Sequence, residues 1–298
     1  MSVIFLFIDG VGLGKADVVN PFTQSTYRGF SAMAGDRPFT KKADNILETN
    51  HLFKSIDARL DVDGLPQSGT GQTALFTGKN APKEIGKHFG PFPHSGIKPF
   101  LKEQSLFVKA GQLGKRANFI NAYPEIFFKK ARKRNRWSCT TLMTKSADIS
   151  LNTTREVKEG KALTAELTQQ AWREHLQIDV PAISPEAAAD RLLSQTEYYD
   201  LLLHEYYLTD KAGHSREQEK AAYYLNVYDR FLWRLINKKA PSTTIVLSSD
   251  HGNVEDLSVK THTLNSVPLF VYGPGAPNFT NAQSLLDVTP GILDTLNK

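Results

Sequence analysis

The segment TTIVLSSDHG, residues 243–252, joins an apolar run to two serines and then to Asp250, His251 and Gly252. An uninterrupted apolar run is typical of a strand that is buried on both faces of a sheet. Four other segments have the same character: VIFLFIDG (3–10), ANFINAY (117–123), DLLLHEYYLTD (200–210) and PLFVYG (268–273). Because helical patterns lie between these segments, the sequence predicts an α/β fold with a doubly wound, mostly parallel sheet and helices on both faces.

The clearest helical pattern covers residues 216–239. Its apolar stripe, which we interpret as core packing, consists of Tyr224, Tyr228, Phe231 and Leu235. Residues 161–176 and 184–195 are also predicted to be helical.

The middle of the chain, residues 86–196, differs from both ends. It includes the Gly- and Pro-rich HFGPFPHSGIKP (88–99) and has few buried-strand patterns apart from 117–123. We interpret it as an inserted cap that sets substrate specificity, between the core segments 1–85 and 197–298. The run 117–123 can belong to either part. A chain of 298 residues agrees with such a division, because single cores rarely grow that large.

The formal net charge of +5 depends on one local run, KKARKRNR at residues 129–136. Without this run, 30 basic residues remain against 31 acidic ones, so the sequence does not favour a uniformly basic nucleic-acid-binding face. A solvated loop, a nucleic-acid contact and attraction of a phosphorylated substrate are the alternatives for the run itself.

The composition also indicates the cellular compartment. The single cysteine, Cys139, cannot form an internal disulfide and favours a reducing compartment. The apolar N-terminal run VIFLFI is too short for a secretory signal, and no run approaches the length of a membrane span. We therefore expect a soluble, cytoplasmic protein of unknown oligomeric state.

Carboxylate and imidazole groups follow the ends of the predicted strands. The carboxyl ends of parallel strands meet along one edge of a sheet, so these groups should converge. Three carboxylates and three imidazoles would repel one another or stay unpaired there unless cations lay among them. Oxygen and imidazole ligands together suit zinc or manganese better than calcium. The groups are Asp9, Asp210, His214, Asp250, His251 and His262.

A second feature is GLPQSGTGQTALFTG, residues 64–78, which is typical of a loop that opens into a helix. Ser68 can be an ordinary helix cap, because Ser and Thr are preferred at that position. Beside metal ions, its oxygen can instead lose a proton and attack phosphorus. Two nucleotide-binding motifs are not matched: GVGLG (10–14) is followed by Lys15 where the third glycine would stand, and the chain has no GxxxxGK[ST].

Six segments together resemble the alkaline phosphatase superfamily, in particular its metalloenzyme branch with cofactor-independent phosphoglycerate mutase and phosphopentomutase. They occur in the family's order and cover roughly 1–84 and 197–298. The segments are FLFIDGVG (5–12), QSGTGQTALFTGK (67–79), TDKAGH (209–214), SSDHGN (248–253), THTLNSVPLFVYGPG (261–275) and SLLDVTPGILDTL (284–296).

The resemblance implies two divalent metal ions in one cleft. Asp210, His214 and His262 would hold one ion. The other would be held by Asp9, Asp250, His251 and the oxygen of Ser68. Ser68 would be the nucleophile, with Thr70 as the fallback. Gln67 stands where the mutase has Asn, and residues 86–196 do not match the mutase's own inserted domain.

The function predicted first is therefore metal-dependent hydrolysis of a small phosphate ester, as a phosphatase or phosphodiesterase, through a phosphoserine. A phosphomutase of the phosphoglycerate or phosphopentose type is the alternative. A nucleic-acid-binding protein that uses residues 129–136 is the alternative from another class. The sequence does not decide the substrate or the choice between zinc and manganese.

Overall fold

The computed structural model describes residues 1–134 and 136–298, and its centre is a seven-stranded sheet. The strands are β1 (Ser2–Ile8), β2 (Ile46–Leu47), β3 (His51–Ile56), β4 (Ala117–Phe119), β5 (Leu201–Tyr206), β6 (Thr243–Ser248) and β7 (Val267–Tyr272). Their order across the sheet is β2-β3-β7-β6-β1-β5-β4. Strands β6, β1, β5 and β4 are parallel neighbours, whereas the β6–β7, β7–β3 and β3–β2 pairs are antiparallel. The predicted mostly parallel α/β sheet is confirmed.

Helices connect the strands. The α-helices are α1 (Arg28–Met33), α2 (Ser68–Thr77), α3 (Ala81–Ile85), α4 (Lys98–Glu103), α5 (Leu106–Gln112), α6 (Glu125–Arg134), α7 (Cys139–Ser146), α8 (Thr154–Lys158), α9 (Gln170–Glu174), α10 (Pro185–Ser194), α11 (Leu208–Ser215), α12 (Gln218–Lys238) and α13 (Val288–Leu296). Short 3₁₀ helices cover Pro21–Thr23, Ser95–Ile97, Gln195–Glu197, Ala276–Phe279 and Leu285–Asp287. Among the described residues, no helix has both the length and the apolar character that crossing a membrane requires.

Strand β1 shows why its sequence is apolar throughout. Its side chains alternate between the two faces of the sheet, and each face packs against its own hydrophobic core. Val3, Phe5 and Phe7 lie in one core, which α2, α5, α7 and α13 cover. Ile4, Leu6 and Ile8 lie in the other, which α1, α10 and α12 cover.

Two of the three predicted helices are present: α12 corresponds to 216–239 and α10 to 184–195. The helix predicted over 161–176 is wrong for most of its length, since only α9 forms there. Leu167 and Gln169 have φ values of +69° and +63°, outside the helical region. Before them, the N–H of Leu163 donates to Ile120 O and the N–H of Ala122 donates to Leu163 O, so the chain is held extended beside the end of β4.

Strand β4 lies within the region interpreted as an insertion, yet it pairs with β5 in the central sheet. The run 117–123 thus contributes to the core, which was one of its two alternatives. Helices α4, α5 and α7 from the same region also contribute apolar side chains to the first core, among them Leu101, Phe107 and Met143. The division of the chain at 86 and 196 stays a prediction.

Candidate metal centre

The predicted residues converge at the carboxyl ends of the central parallel strands. Asp9 follows β1, Asp210 and His214 lie on α11 directly after β5, and Asp250 and His251 follow β6. The turn at Gly10 brings two of these segments together. Gly10 has φ +69°, and a Cβ placed there would lie 2.7 Å from the side chain of Asp210. Only glycine permits this approach.

Asp9, Asp250 and His251 form one group, and all three are buried. One ligand atom of each lies within 4.8 Å of the others. The Nε2 atom of His251 is 3.5 Å from Oδ1 of Asp9 and 3.4 Å from Oδ2 of Asp250. The hydroxyl of Ser68, the first residue of α2, lies 3.0 Å from the same nitrogen.

A second group adjoins the first. His214 Nε2 lies 3.3 Å from Asp210 Oδ2 and 3.3 Å from His262 Nε2. The other ring nitrogens of these histidines face backbone oxygens, Lys260 O at 2.9 Å and Pro66 O at 2.7 Å. Such contacts fix the orientation of an imidazole ligand. His251 joins the two groups, because its ligand atom also lies within 4.8 Å of those of Asp210 and His262.

The structure thus brings together all seven predicted residues, here called the central cluster: Asp9, Ser68, Asp210, His214, Asp250, His251 and His262. Thr70, the fallback nucleophile, differs from Ser68. Its hydroxyl donates to the backbone oxygen of Gln67 at 3.1 Å and is fully buried.

Unpaired polar atoms in the central cluster fit a bound cation. Among the described residues, Oδ1 of Asp9, Oδ2 of Asp250 and Nδ1 of His251 are buried without a hydrogen-bond partner. Buried polar atoms are rarely left unpaired, because losing their hydration costs free energy. A divalent ion would satisfy the two carboxylate oxygens, and this mixed oxygen and nitrogen donor set suits zinc or manganese.

The pKa values of the cluster residues also fit a bound cation. Burial, and after it the charges of Asp250 and Asp210, raise the pKa of Asp9 well above its ordinary value. Burial and the charge of Asp210 raise the pKa of Asp250 to about 7. Burial lowers the pKa of His251 and of His262, which keeps both imidazoles in the neutral, metal-binding form.

Asp210 behaves differently from the other two carboxyl groups. Burial acts to raise its pKa, but the hydrogen bonds with His214 and Asn253, together with the neighbouring imidazoles, outweigh burial and lower the pKa to about 2. Asp210 also accepts a hydrogen bond from Asn253 Nδ2 at 2.6 Å. This carboxylate is therefore ionised and oriented before any cation binds.

Sequence reasoning missed Glu255, which ties together the loops of the central cluster. Its Oε2 accepts hydrogen bonds from the backbone N–H groups of Gly12 at 2.9 Å and Asn253 at 2.8 Å. Its Oε1 accepts from Thr263 and from Asn265 Nδ2, the latter at 3.0 Å. The only sequence signal was indirect and lay in two glycines that leave room for this side chain. A Cβ at Gly12 would lie 2.4 Å from Glu255 Oε1, and a Cβ at Gly252 would lie 2.2 Å from it.

Two more polar side chains near the cluster were not predicted. Gln72 Nε2 donates to Asp9 Oδ2 at 3.3 Å and so orients that carboxylate. Glu205, on β5, accepts a hydrogen bond from Thr140 Oγ1 at 2.9 Å, and burial raises its pKa to about 7. The signal for Glu205 was a charged residue near the end of a strand predicted to be buried.

The basic run 129–136 lies mainly on α6, and position 135 is outside the described residues. Lys129 is exposed and lies 3.6 Å from Glu125 on the same helix. The guanidinium of Arg136 lies 4.1 Å from the ring centroid of Phe92. The nucleic-acid reading of this run stays a prediction.

Comparison with known proteins places these observations in a family context. Residues 174–298 match the family model described as the Metalloenzyme superfamily. This stretch includes five residues of the central cluster, but not Asp9 or Ser68. A 2,3-bisphosphoglycerate-independent phosphoglycerate mutase of Desulforudis audaxviator is 32% identical over 124 residues, which are 39% of this chain and 24% of the mutase. The chain therefore matches only about a quarter of the length of such curated relatives.

Solved structures extend the likeness over the whole chain. The alkaline phosphatase of the Antarctic bacterium TAB5 has a TM-score of 0.59 at 14% identity, covering 99% of this chain and 98% of that one. The Leishmania mexicana phosphoglycerate mutase has a TM-score of 0.53 at 10% identity, covering 99% and 95%. Identities this low show the fold alone. Together with the family model, they confirm the resemblance to the metalloenzyme branch of the alkaline phosphatase superfamily.

Proposed function

We propose that this alkaline-phosphatase-like chain is a metal-dependent phosphoryl-transfer enzyme that hydrolyses phosphate esters through a phosphoserine at Ser68. One observation carries the proposal: the Ser68 hydroxyl lies 3.0 Å from His251 Nε2, within a cluster of carboxylates and imidazoles. The cluster opens on a cleft that Asp9, Ser68, Asp210 and His214 line on one side. A serine oxygen in this position is accessible to a bound phosphate ester.

The unpaired atoms of the cluster support divalent ions as cofactors. Asp9, Asp250, His251 and the Ser68 oxygen would hold one ion, and Asp210, His214 and His262 the other. Zinc and manganese are both compatible with these ligands. When bound, such ions supply positive charge that favours a deprotonated serine and neutralises the oxygens of the phosphoryl group.

The protein's own groups then divide the reaction into two displacements. In the first, the Ser68 oxygen loses its proton and forms a bond to phosphorus while the ester bond breaks, and the leaving oxygen takes up a proton and departs as the alcohol, so that the phosphoserine remains. The position of Ser68 at the start of α2 adds the positive end of a helix dipole beside the phosphoryl oxygens. In the second, a water oxygen attacks phosphorus, the bond between phosphorus and the Ser68 oxygen breaks, a proton from the water passes to that oxygen, and phosphate leaves.

A phosphomutase is the second candidate, favoured by the name of the curated relatives. In that reaction a second hydroxyl of the substrate, instead of water, takes the phosphoryl group from Ser68. Product analysis with phosphoglycerates and pentose phosphates separates the two. Isomerised phosphate esters would indicate a mutase, and free phosphate a hydrolase.

The hydrolase proposal is tested with protein loaded with Mn²⁺ or Zn²⁺ and a panel of phosphate esters. We expect release of phosphate, and a phosphate trapped on Ser68 and not on Thr70 when the labelled protein is digested and sequenced by mass spectrometry. Ser68→Ala and Asp250→Asn should each lower kcat/KM by at least about 10³-fold while circular dichroism stays unchanged. Full activity of the metal-free protein, or of Ser68→Ala, would contradict the proposal.

We further propose a cytoplasmic location. The support is the single cysteine, Cys139, which is buried and needs no oxidising compartment. Fractionation of cells that express the full-length protein tests this: it should be recovered with cytoplasmic markers, and recovery in the medium or a membrane fraction would contradict it.

A further inference from the structure

The cleft beside Ser68 has a volume of about 830 Å³, within the usual range for sites that bind small molecules. Four residues of the central cluster line it. Most of the remaining lining comes from residues 91–176, within the predicted insertion. A ligand whose phosphoryl group lies at Ser68 would therefore place its other part against these remaining lining residues.

Six of these lining residues have large aromatic or aliphatic side chains and are here called the aromatic wall. Tyr123 and Phe127 stack with their ring centroids 4.0 Å apart and their planes 24° from parallel. Trp172 is only 6% exposed, so its position is fixed by packing. The side chains that build this wall are Phe92, Tyr123, Phe127, Trp172, Leu176 and Tyr207.

Charged groups along the cleft argue against a polar or multiply charged substrate. Among the described lining residues, Lys211 is the one Lys or Arg, whereas Glu166 and Glu205 are both acidic; Arg136 contacts the ring of Phe92 but does not line the cleft. A carboxylate or a second phosphate on the substrate would lose hydration against aromatic rings and meet these acids. An apolar group would gain free energy from the same surfaces, because its burial releases water from both sides.

We propose that the substrate is a phosphate ester whose alcohol carries a bulky apolar group, and that the aromatic wall of the cleft binds this group. The proposal rests on the proposed function for the location of the phosphoryl group. It assigns substrate selection to Trp172, Tyr123 and Phe127. An aromatic ring system and an alkyl chain share the required chemistry, and the experiment separates them.

The test compares kcat/KM of the metal-loaded protein for 3-phenylpropyl phosphate and propyl phosphate. Both are esters of primary alkyl alcohols, so their leaving groups are matched and only the apolar group differs. We expect a preference of about 100-fold for the phenylpropyl ester. Octyl phosphate distinguishes an aromatic ring system from an alkyl chain. A kcat/KM for octyl phosphate below that for the phenylpropyl ester assigns an aromatic group, and a higher kcat/KM assigns an alkyl chain. Equal kcat/KM for propyl and phenylpropyl esters would overturn the proposal.

The variant Trp172→Ala tests the aromatic wall, and Trp233→Ala controls for the loss of an indole outside the cleft. Trp172→Ala should lower the preference for the phenylpropyl ester at least about 10-fold. Trp233 lies on α12, is 39% exposed and does not line the cleft, so its replacement should leave the preference unchanged. If Trp172→Ala keeps the full preference for the phenylpropyl ester, the aromatic wall does not select the substrate.

Calorimetric binding separates failure of this proposal from failure of the proposed function. If neither ester is hydrolysed, the proposed function fails, but binding of 3-phenylpropylphosphonate and propylphosphonate to the metal-loaded protein can still be compared. Tighter binding of the phenylpropyl compound that Trp172→Ala weakens would support the apolar site. Equal binding, or no binding of either, would overturn it.

Discussion

Asp250 and His251 are neighbours in the chain, yet their side chains reach the same group of ligand atoms. In a strand, neighbouring side chains point to opposite faces of the sheet. Strand β6 ends at Ser248, so the alternation ends before these two residues. Their position just beyond a strand end, and not their identity alone, allows both to face one cation.

Glu205 offers a residue-scale test of burial in the metal-free protein. Burial raises its pKa from the ordinary 4.5 to about 7, with the hydrogen bond from Thr140 opposing the shift. A raised native pKa gives a stability contribution that is complete below pH 4.5 and is lost as the pH rises to about 7. We expect the unfolding free energy of wild type, relative to Glu205→Gln, to fall by up to about 3 kcal/mol between pH 4.5 and pH 8.

Urea denaturation in the presence of EDTA across this pH range measures the effect. Glu103→Gln, which changes an exposed carboxyl at the end of α4, serves as the control and should leave the pH profile of the wild type unchanged. Parallel pH profiles for wild type and Glu205→Gln would show that Glu205 is ionised at its ordinary pKa.

The contrast between Asp9 and Glu255 shows how far the sequence determines the site. Asp9 follows an apolar strand, so its place at the sheet edge could be predicted from a local pattern. Glu255 acts on the backbone of Gly12, which is separated from it by 243 residues. No local pattern records that contact, because the partner is a main-chain N–H that every residue except proline carries.

Helix α12 makes two kinds of polar interaction, one with α10 and one with α1, and they differ in burial. Arg230 and Arg234 on α12 make bidentate ion pairs with Glu186 and Asp190 on α10, at 2.7–2.9 Å. These side chains are partly exposed, so water and salt screen the pairs. Asp229, the neighbour of Arg230, is instead buried and accepts the backbone N–H groups of Arg28 and Phe30 at the start of α1.

Substitutions at these adjacent positions should therefore differ in cost. Asp229→Ala leaves two N–H groups without a partner, one of them buried, and should lower the unfolding free energy by about 2–3 kcal/mol. Arg230→Ala removes a screened surface pair and should cost less than about 1 kcal/mol. Urea denaturation of both variants measures the difference. Equal costs would mean that the ion pair contributes as much as the buried acceptor.

Elements were predictable where one local pattern decides them. The single apolar run at residues 3–8 corresponds to strand β1, Ser2–Ile8. Strand β3, HLFKSI, was missed because Lys54 and Ser55 interrupt its apolar pattern, and the strand forms through pairing with β7. The segment before α9 has helical composition, but pairing of Leu163 with Asn121 and the left-handed residues 167 and 169 prevent the helix.

At the scale of the whole molecule, the central cluster connects both ends of the chain. Asp9 and Ser68 come from the N-terminal part, and the other five residues lie between positions 210 and 262. Ions bound between these segments would hold them together only in the folded state, because the unfolded chain has no preformed site. Metal binding should therefore increase the stability of the entire fold and not of one loop.

Removal of metal tests this connection. Addition of Mn²⁺ or Zn²⁺ to EDTA-treated protein at one fixed concentration, a hundred times the wild-type dissociation constant at pH 7, should raise the unfolding free energy by about 2.7 kcal/mol per ion, a rise in Tm of about 4 °C per ion. The gain should be larger at pH 8 than at pH 6, because the raised pKa of Asp250, about 7, requires a proton to leave before this carboxylate binds a cation. Scanning calorimetry measures this gain in stability.

Asp250→Asn should lose most of the gain, whereas Asp294→Asn, an exposed change on α13, should keep it. The same gain in wild type and Asp250→Asn would mean that the stabilising metal binds outside the central cluster.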